Sequence, residues 1–262
     1  MITAGFDIGT RVIKACVVDY ERIIGWSKST LDDRIDKVIK KTYASALDKA
    51  SIKKGRVEKI LATGYCSEML RGKIQPVTEG LCIARAAHFF DSKIRTVIDI
   101  GGLSINIITL DDKGNVKETV SNDRCAAGSG KFLEMVSEAT EIPMSSISSS
   151  VMTSGRPCSI KSNCAVFAES EVISRINAGH NVNDIIASVL YSIASRAVTL
   201  LEKINAPDDM ALIGGVSKIV VLKSILEELI TRKVTELPAD SQIISAFGAA
   251  LIAQGKMIRK NN

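Results

Sequence analysis

Short apolar runs alternate with longer stretches of helical periodicity along this chain. Residues 2–6 and 12–18 are apolar runs of strand length and predict a β-hairpin. Residues 34–50 repeat apolar positions every three or four residues, which predicts an amphipathic helix. The same reasoning predicts strands at 57–63, 96–100, 105–110 and 209–213, and helices at 79–90, 130–140, 165–176, 183–204, 220–230 and 241–258. Strands that alternate with helices predict an α/β fold.

Two of the predicted strands end in the same way. The segment Phe6-Asp7-Ile8-Gly9-Thr10 is repeated as Ile98-Asp99-Ile100-Gly101-Gly102, which indicates two related halves. We therefore expect a first domain at residues 1–92, with the closing helix at 241–262 packed back on it, and a second domain at 93–240. The serine-rich stretch 145–154 is the expected mobile connector.

An acidic residue at a strand end, followed by glycine, is typical of phosphate sites. The glycine lets backbone N–H groups approach phosphate oxygens, and the carboxylate holds Mg²⁺ or its waters. The motifs at Asp7 and Asp99 have this form, and Gly214-Gly215 follows a third apolar run, where backbone can approach an adenosine. Lys14 is either a further phosphate ligand or a solvated strand residue.

Composition narrows the function classes. The chain has 262 residues, 46% hydrophobic, with a net charge of +5 and only 4% aromatic residues. Basic residues form no stripe with interleaved aromatics, which argues against nucleic-acid binding. The chain opens on a predicted strand and has no apolar run of about 18 residues, so we expect a cytoplasmic protein without a membrane span.

Cys125 and Cys164 each begin a predicted helix, and a helix N-terminus favours thiolates and anionic clusters. The other four cysteines are Cys16 and Cys82, expected to be buried, Cys66, which is undecided, and Cys158. Two thiolates cannot complete a four-thiolate site, but two copies of the chain can. The hypothesis is one metal cluster shared by a homodimer, with zinc as an alternative metal.

The segment Gly128-Ser129-Gly130-Lys131 imitates the end of a Walker A loop. The first glycine of that motif would fall on Cys125, and Phe132 stands where the magnesium-binding Ser or Thr belongs. The sequence therefore argues against a P-loop.

The order of the motifs at Asp7, Asp99 and Gly214-Gly215 is similar to that of the actin, sugar-kinase and heat-shock-chaperone ATPase superfamily. Within it, residues 122–134 and 164–174 resemble the ATP-dependent activators of 2-hydroxyacyl-CoA dehydratases, of the BadF/BadG/BcrA/BcrD type. That group includes ATPase subunits of benzoyl-CoA reductase and reductases of double-cubane-cluster proteins. The resemblance covers nearly the whole chain.

The resemblance implies two RNase-H-like domains with ATP in the cleft between them. It implies a 4Fe–4S cluster, one per dimer, bound by Cys125 and Cys164 of each subunit, with a related subunit as a possible second chain. Ferredoxin or flavodoxin would reduce the cluster, and an iron–sulfur dehydratase or reductase would accept the electron. In the resulting hypothesis Asp7 and Asp99 organise Mg-ATP with Thr10 in a catalytic role, and the phosphates are cradled by Gly9, Thr10, Gly101 and Gly102.

The chain also departs from the activator pattern. Activators continue the second phosphate motif with Gln and Asp, whereas this chain has Leu103-Ser104, which predicts slower hydrolysis or reliance on Asp99 and Thr10. Two other functions remain open at this point: a small-molecule kinase of the same superfamily, and a non-redox ATP-binding assembly protein. Cys158 is either an alternative ligand or a bystander.

Overall fold

Ten strands in two mixed sheets carry the fold in the computed structural model, which describes residues 1–70, 72, 74–122, 129–155, 157 and 165–255. The strands are β1 (Ile2–Ile8), β2 (Val12–Asp19), β3 (Arg22–Thr30), β4 (Lys59–Thr63), β5 (Gln75–Pro76), β6 (Thr96–Ile100), β7 (Ile105–Leu110), β8 (Val116–Ser121), β9 (Met210–Ile213) and β10 (Val234–Glu236). The α-helices of the described residues are α1 (Ile35–Lys49), α2 (Glu79–Phe90), α3 (Gly130–Thr140), α4 (Ile147–Met152), α5 (Ala165–Asn177), α6 (Val182–Lys203), α7 (Val220–Ile230) and α8 (Ile244–Ala253).

The two sheets repeat one topology. The first has the order β3-β2-β1-β4-β5, and the second has the order β8-β7-β6-β9-β10. In each sheet the central strand pairs antiparallel with the strand that follows it along the chain, and parallel with a later strand on its other side. The two related halves predicted from the repeated Asp-Ile-Gly segments are therefore present as duplicated sheets.

The described residues divide into two compact units. The first comprises Met1–Arg95, Leu110–Lys117 and the described residues from Leu237 onward, and the second comprises Thr96–Thr109 and the described residues of Glu118–Glu236. The predicted domain boundaries at 92/93 and 240/241 stay predictions, because compactness does not establish independent folding.

In the first unit, α8 lies very close to the central strand β1. The hydroxyl of Thr3 donates to the carbonyl oxygen of Ala250 at 2.8 Å. A Cβ added at Gly5 would overlap backbone atoms of Ala246 and Ala250, so only glycine permits this helix–strand distance. Residues alternate across a strand, and Ala4, Phe6 and Ile8 therefore pack into a separate cluster that includes residues of α1.

In the second unit, Ile98 and Ile100 of β6 and Ile105 and Ile107 of β7 join a core formed with the helices, α6 above all. Helix α6 is long and apolar enough to cross a membrane, but 56% of its most apolar window is buried inside the protein. A core helix passes the same test of length and composition, so this helix is weak evidence for a span.

The structure corrects one expectation and adds strands that periodicity missed. The serine-rich stretch 145–154 contains helix α4, because Ile147 and Val151 are four residues apart and both enter the core of the second unit. It is therefore not the structureless connector that its composition predicted. Strands β3 and β8 were also not predicted, since their exposed and polar positions give little contrast.

Candidate functional site

The first phosphate motif lies at the end of β1, beside two other strands. In the register of the sheet, Asp7 pairs with Lys14 of β2 and with Thr63 of β4. The Nζ of Lys14 donates to Oδ2 of Asp7 at 2.7 Å, and these side chains are only 14% and 6% exposed. Lys14 is therefore the partner of Asp7 rather than a solvated strand residue.

Two glycines let the backbone come close to this pair. Gly64, directly after β4, has a φ of +89°, and a Cβ there would overlap Oδ1 of Asp7. A Cβ at Gly9 would lie 2.9 Å from the carbonyl oxygen of Val12 and 3.4 Å from Nζ of Lys14. Thr10 follows in a half-buried bend. The amide of Cys66 donates to the carbonyl oxygen of Ile8 at 2.9 Å, which fastens the loop after Gly64 to the motif.

The second phosphate motif repeats this geometry in the second unit. Asp99, at the end of β6, pairs in register with Asn106 of β7 and Ile213 of β9. The Nδ2 of Asn106 donates to Oδ2 of Asp99 at 3.1 Å. Gly214 follows β9 with a φ of +95°, and a Cβ there would lie 2.6 Å from Oδ1 of Asp99.

Each unit thus has an aspartate at a strand end, a polar partner on the next strand and a left-handed glycine behind its carboxylate. The partners are Lys14 and Asn106, and the glycines are Gly64 and Gly214. Gly64 and Asn106 were not among the predicted site residues. The signal for Asn106 was available, since it follows Asp99 by the interval that separates Lys14 from Asp7.

In the second motif, the amide of one predicted phosphate ligand already donates a hydrogen bond within the turn. The amide of Gly101 donates to the carbonyl oxygen of Ser104 at 2.9 Å. The carbonyl oxygens of Gly101 and Gly102 accept from the amides of Gly130 and Lys131, at 3.0 and 2.9 Å. Gly215, predicted to contact an adenosine, caps the 3-10 helix Val216–Lys218.

These donors fit a magnesium nucleotide. Among the described residues, no group of three or more His, Cys, Asp or Glu side chains could hold a metal ion without other ligands. Mg²⁺ typically takes only one or two carboxylates and completes its shell with phosphate oxygens and water. In the first unit Asp7 offers one such carboxylate and Lys14 a cation that can contact phosphate, and in the second unit Asp99 offers one carboxylate.

The predicted cluster ligands Cys125 and Cys164 lie outside the described residues, as does Cys158. The helices predicted to follow the two ligands are present, as α3 and α5. Cys16 and Cys82 are fully buried, as predicted, and burial raises the pKa of the Cys82 thiol to about 12. Burial also raises the pKa of the half-buried Cys66 thiol. Burial thus disfavours the thiolate form of Cys66 and Cys82.

At the start of α3, the described residues Gly130 and Lys131 do not present their amides as a P-loop does. A P-loop directs its backbone amides at phosphates, and a buried strand precedes it. Here the amides of Gly130 and Lys131 donate to carbonyl oxygens, and the preceding strand β8 is largely exposed.

Comparison with known proteins gives consistent matches over nearly the whole chain. The BadF/BadG/BcrA/BcrD ATPase family matches residues 4–253. The crystal structure of (R)-2-hydroxyglutaryl-CoA dehydratase component A from Acidaminococcus fermentans is 32% identical, with a TM-score of 0.91 over 98% of each chain. The activator of 2-hydroxyisocaproyl-CoA dehydratase from Clostridium difficile, solved with bound ADPNP, is 30% identical, with a TM-score of 0.89 over 98% of this chain and 95% of that one.

A further relative is one of the subunits of benzoyl-CoA reductase from Thauera aromatica. It is 30% identical over 95% of this chain and 92% of that protein. A ROK-family glucokinase from Streptomyces griseus shares the fold alone, at 14% identity and a TM-score of 0.60 over 97% of this chain and all of that one. The predicted two-domain α/β fold of the actin, sugar-kinase and chaperone ATPases is confirmed.

Proposed function

Because the chain belongs to the BadF/BadG/BcrA/BcrD ATPase family, we propose that it is an ATP-dependent reductive activase. In this role it passes a low-potential electron from a 4Fe–4S cluster, shared by two copies of the chain, to an iron–sulfur partner enzyme. The observation that carries the proposal is the duplicated half-site, Asp7 with Lys14 and Asp99 with Asn106, in a chain whose full-length relatives are named activators of dehydratases. The partner is a dehydratase or reductase of the kind that these relatives serve.

The nucleotide is held by the phosphate motifs of both units. Asp7 and Asp99 orient Mg²⁺ and its waters, Thr10 takes part in catalysis beside them, and the ammonium group of Lys14 neutralises phosphate charge. The relative with bound ADPNP supports nucleotide binding by this fold. Hydrolysis of ATP supplies the free energy for the electron transfer.

Glycine amides and a glycine pair complete the nucleotide site. The phosphates are cradled by Gly9, Thr10, Gly101 and Gly102. Gly102 is the stronger candidate of its pair, because the turn uses the amide of Gly101 internally. Gly214 and Gly215 bring backbone close to the adenosine.

Cys125 and Cys164 of each copy would hold the iron–sulfur cluster, which would supply the electron-transfer chemistry. Two cysteines from one chain leave such a cluster incomplete, so a second copy, or a related subunit, is required. Helix α5 begins at Ala165, directly after Cys164, and helix α3 begins at Gly130, five residues after Cys125. The dipoles of helices favour anionic groups at their N-termini. A ferredoxin or flavodoxin is the expected electron donor.

The test is anaerobic purification of the full chain, with iron and acid-labile sulfide counted per dimer. We expect about four irons per dimer, the content of one 4Fe–4S cluster, and loss of most of this iron in Cys125→Ala and in Cys164→Ala. Cys16→Ala is the matched control, because Cys16 is fully buried and is not a proposed ligand. A dimer that binds ATP but takes up no iron on reconstitution would contradict the redox role and favour a kinase or an assembly protein.

A further inference from the structure

Residues 123–128, which include Cys125, are flanked on the C-terminal side by residues hydrogen-bonded to the second phosphate motif and on the N-terminal side by residues hydrogen-bonded to β7, the strand paired with it. On the C-terminal side, the amides of Gly130 and Lys131 donate to the carbonyl oxygens of Gly101 and Gly102, at 3.0 and 2.9 Å. Helix α3 begins at Gly130. The first turn of this helix is therefore attached directly to the glycines of the motif.

On the N-terminal side, Ser121 and Asn122 are attached to the first residues of β7. The Oδ1 of Asn122 accepts from the amide of Ile105 at 2.7 Å, and the amide of Asn122 donates to the carbonyl oxygen of Ile105 at 3.1 Å. The hydroxyl of Ser121 donates to Oδ1 of Asn106 at 2.6 Å. These bonds hold the end of β8 against β7, the strand on which Asn106 pairs with Asp99.

The side chain of Asn106 connects Asp99 to Ser121 through two hydrogen bonds. Its Nδ2 donates to Oδ2 of Asp99 at 3.1 Å, while its Oδ1 accepts from Ser121. An ionised carboxylate only accepts hydrogen bonds, so the amide nitrogen has to face Asp99 and the amide oxygen has to face Ser121. Reorientation of Asp99 would therefore reorient the amide and disturb its bond to Ser121.

The first unit lacks the chemistry for such a chain at the corresponding position. Lys14 stands opposite Asp7 as Asn106 stands opposite Asp99. An ammonium group donates hydrogen bonds but cannot accept one from a hydroxyl on the next strand. Only a side chain that both donates and accepts, such as asparagine, can connect the carboxylate to a neighbouring hydroxyl.

We propose that Asn106 is a positioning residue that connects Asp99 to Ser121, so that occupation of the second phosphate motif alters the residues that flank the Cys125 segment. The inference rests on the proposed function, in which Asp99 and Gly102 take part in binding Mg-ATP. Asp99 acts on the N-terminal flank through Asn106 and Ser121. Gly101 and Gly102 act on the C-terminal flank through the amides of Gly130 and Lys131.

The experiment is hydrogen–deuterium exchange of the full chain, read by mass spectrometry of overlapping peptides, with and without Mg-ADPNP. In the wild type, we expect the nucleotide to slow exchange at Asn122, Gly130 and Lys131 by about two- to tenfold, the range that one hydrogen bond supplies. Calorimetry on each variant reports nucleotide affinity separately. The readout needs neither a loaded cluster nor a partner enzyme.

Two substitutions break the N-terminal connection in different ways. Ser121→Ala removes the hydroxyl from an exposed position, and Asn106→Lys keeps a donor for Asp99 while it removes the acceptor for Ser121. Both are expected to abolish the nucleotide-dependent slowing at Asn122 and to retain it at Gly130 and Lys131. Asn115→Ala is the matched control, because it deletes a bond of the same chemistry, from Nδ2 of Asn115 to Oδ2 of Asp111 at 2.9 Å, in the first unit.

The possible outcomes separate this inference from the proposed function. If Ser121→Ala retains the full slowing at Asn122, or if wild-type protein binds the nucleotide with no change there, the positioning role of Asn106 is wrong. If wild-type protein binds no nucleotide, the proposed function fails and this inference fails with it. Loss of slowing at Asn122 alone, in both variants and not in Asn115→Ala, supports the connection.

Discussion

At the scale of single residues, two features of Gly214 disfavour a side chain: its left-handed backbone conformation and the close atoms that a Cβ would meet. Its φ of +95° disfavours any side chain, and a Cβ would also lie 2.6 Å from Oδ1 of Asp99. Gly179 has a similar φ, +80°, but a Cβ there meets nothing within 4 Å. The same Cβ at Gly214 would also overlap the backbone carbonyl of Ile100, so a comparison of the two glycines separates the cost of crowding against Asp99 and Ile100 from the cost of the left-handed φ.

We expect Gly179→Ala to lower the free energy of unfolding by about 1–2 kcal/mol, the cost of the left-handed conformation. Gly214→Ala should lower it by about 2–5 kcal/mol, because overpacking adds about 1–3 kcal/mol. Urea denaturation measures both. Only Gly214→Ala is expected to weaken nucleotide binding, since only that change displaces Asp99. Equal losses of stability would show that the crowding against Asp99 and Ile100 is relieved at no cost.

At the scale of elements, α4 is a helix that its serine-rich composition did not predict. Ile147 is 1% exposed and Val151 is 9% exposed, and both belong to the core of the second unit. Of the serines between them, Ser148 and Ser149 are not buried, whereas Ser150 is 8% exposed. The helix is therefore stabilised by two apolar anchors rather than by intrinsic propensity.

Ile147→Ala should lower the free energy of unfolding by about 2–5 kcal/mol, the usual cost of a large-to-small change in a core. The matched control is Met152→Ala in the same helix, at a side chain that is 77% exposed, where we expect a change within about 0.5 kcal/mol. Thermal or chemical denaturation distinguishes the two. A loss for Ile147→Ala as small as that of the control would mean that the serine-rich stretch is a loose connector after all.

The sequence predicted elements with strong periodicity and missed those without it. The bounds of α2 and α3 agree with the apolar spacing, because each buries one face against a core. The exposed strand β8 gave no such contrast. Asp7 and Asp99 could be recognised as residues at strand ends, but Gly64 and Asn106 reach these carboxylates across neighbouring strands. Such contacts depend on the register of the sheet, which spacing along one strand does not determine.

For the whole molecule, the duplicated sheets differ in the partner of each motif aspartate. Lys14 gives Asp7 an ion pair, whereas Asn106 gives Asp99 a neutral hydrogen bond. Removal of one member of a buried pair leaves a charge without compensation. Lys14→Asn gives Asp7 the same kind of partner that Asp99 has. It therefore tests whether the ion pair stabilises the first half.

We expect Lys14→Asn to lower the free energy of unfolding by about 2 kcal/mol, less than the 3–5 kcal/mol typical of a fully buried pair because asparagine can still donate to Asp7. Lys37→Asn is the control, since the Lys37–Asp33 side chains are 62% and 51% exposed, and such a pair contributes about 0–1 kcal/mol. Urea denaturation of both variants measures the two changes in the free energy of unfolding. Equal stability of Lys14→Asn and wild type would mean that the ion pair is replaceable.

The packing of α8 on β1 has a consequence for how the protein is made. The strand Ile2–Ile8 leaves the ribosome long before the helix Ile244–Ala253 that covers Gly5 is translated. At about 5–20 residues per second, that interval is on the order of ten to fifty seconds. During this time the nascent first unit exposes the surface that α8 later covers, which includes Gly5, Leu61 and Cys82. Transiently exposed apolar surface of this kind is what chaperones bind and aggregation exploits.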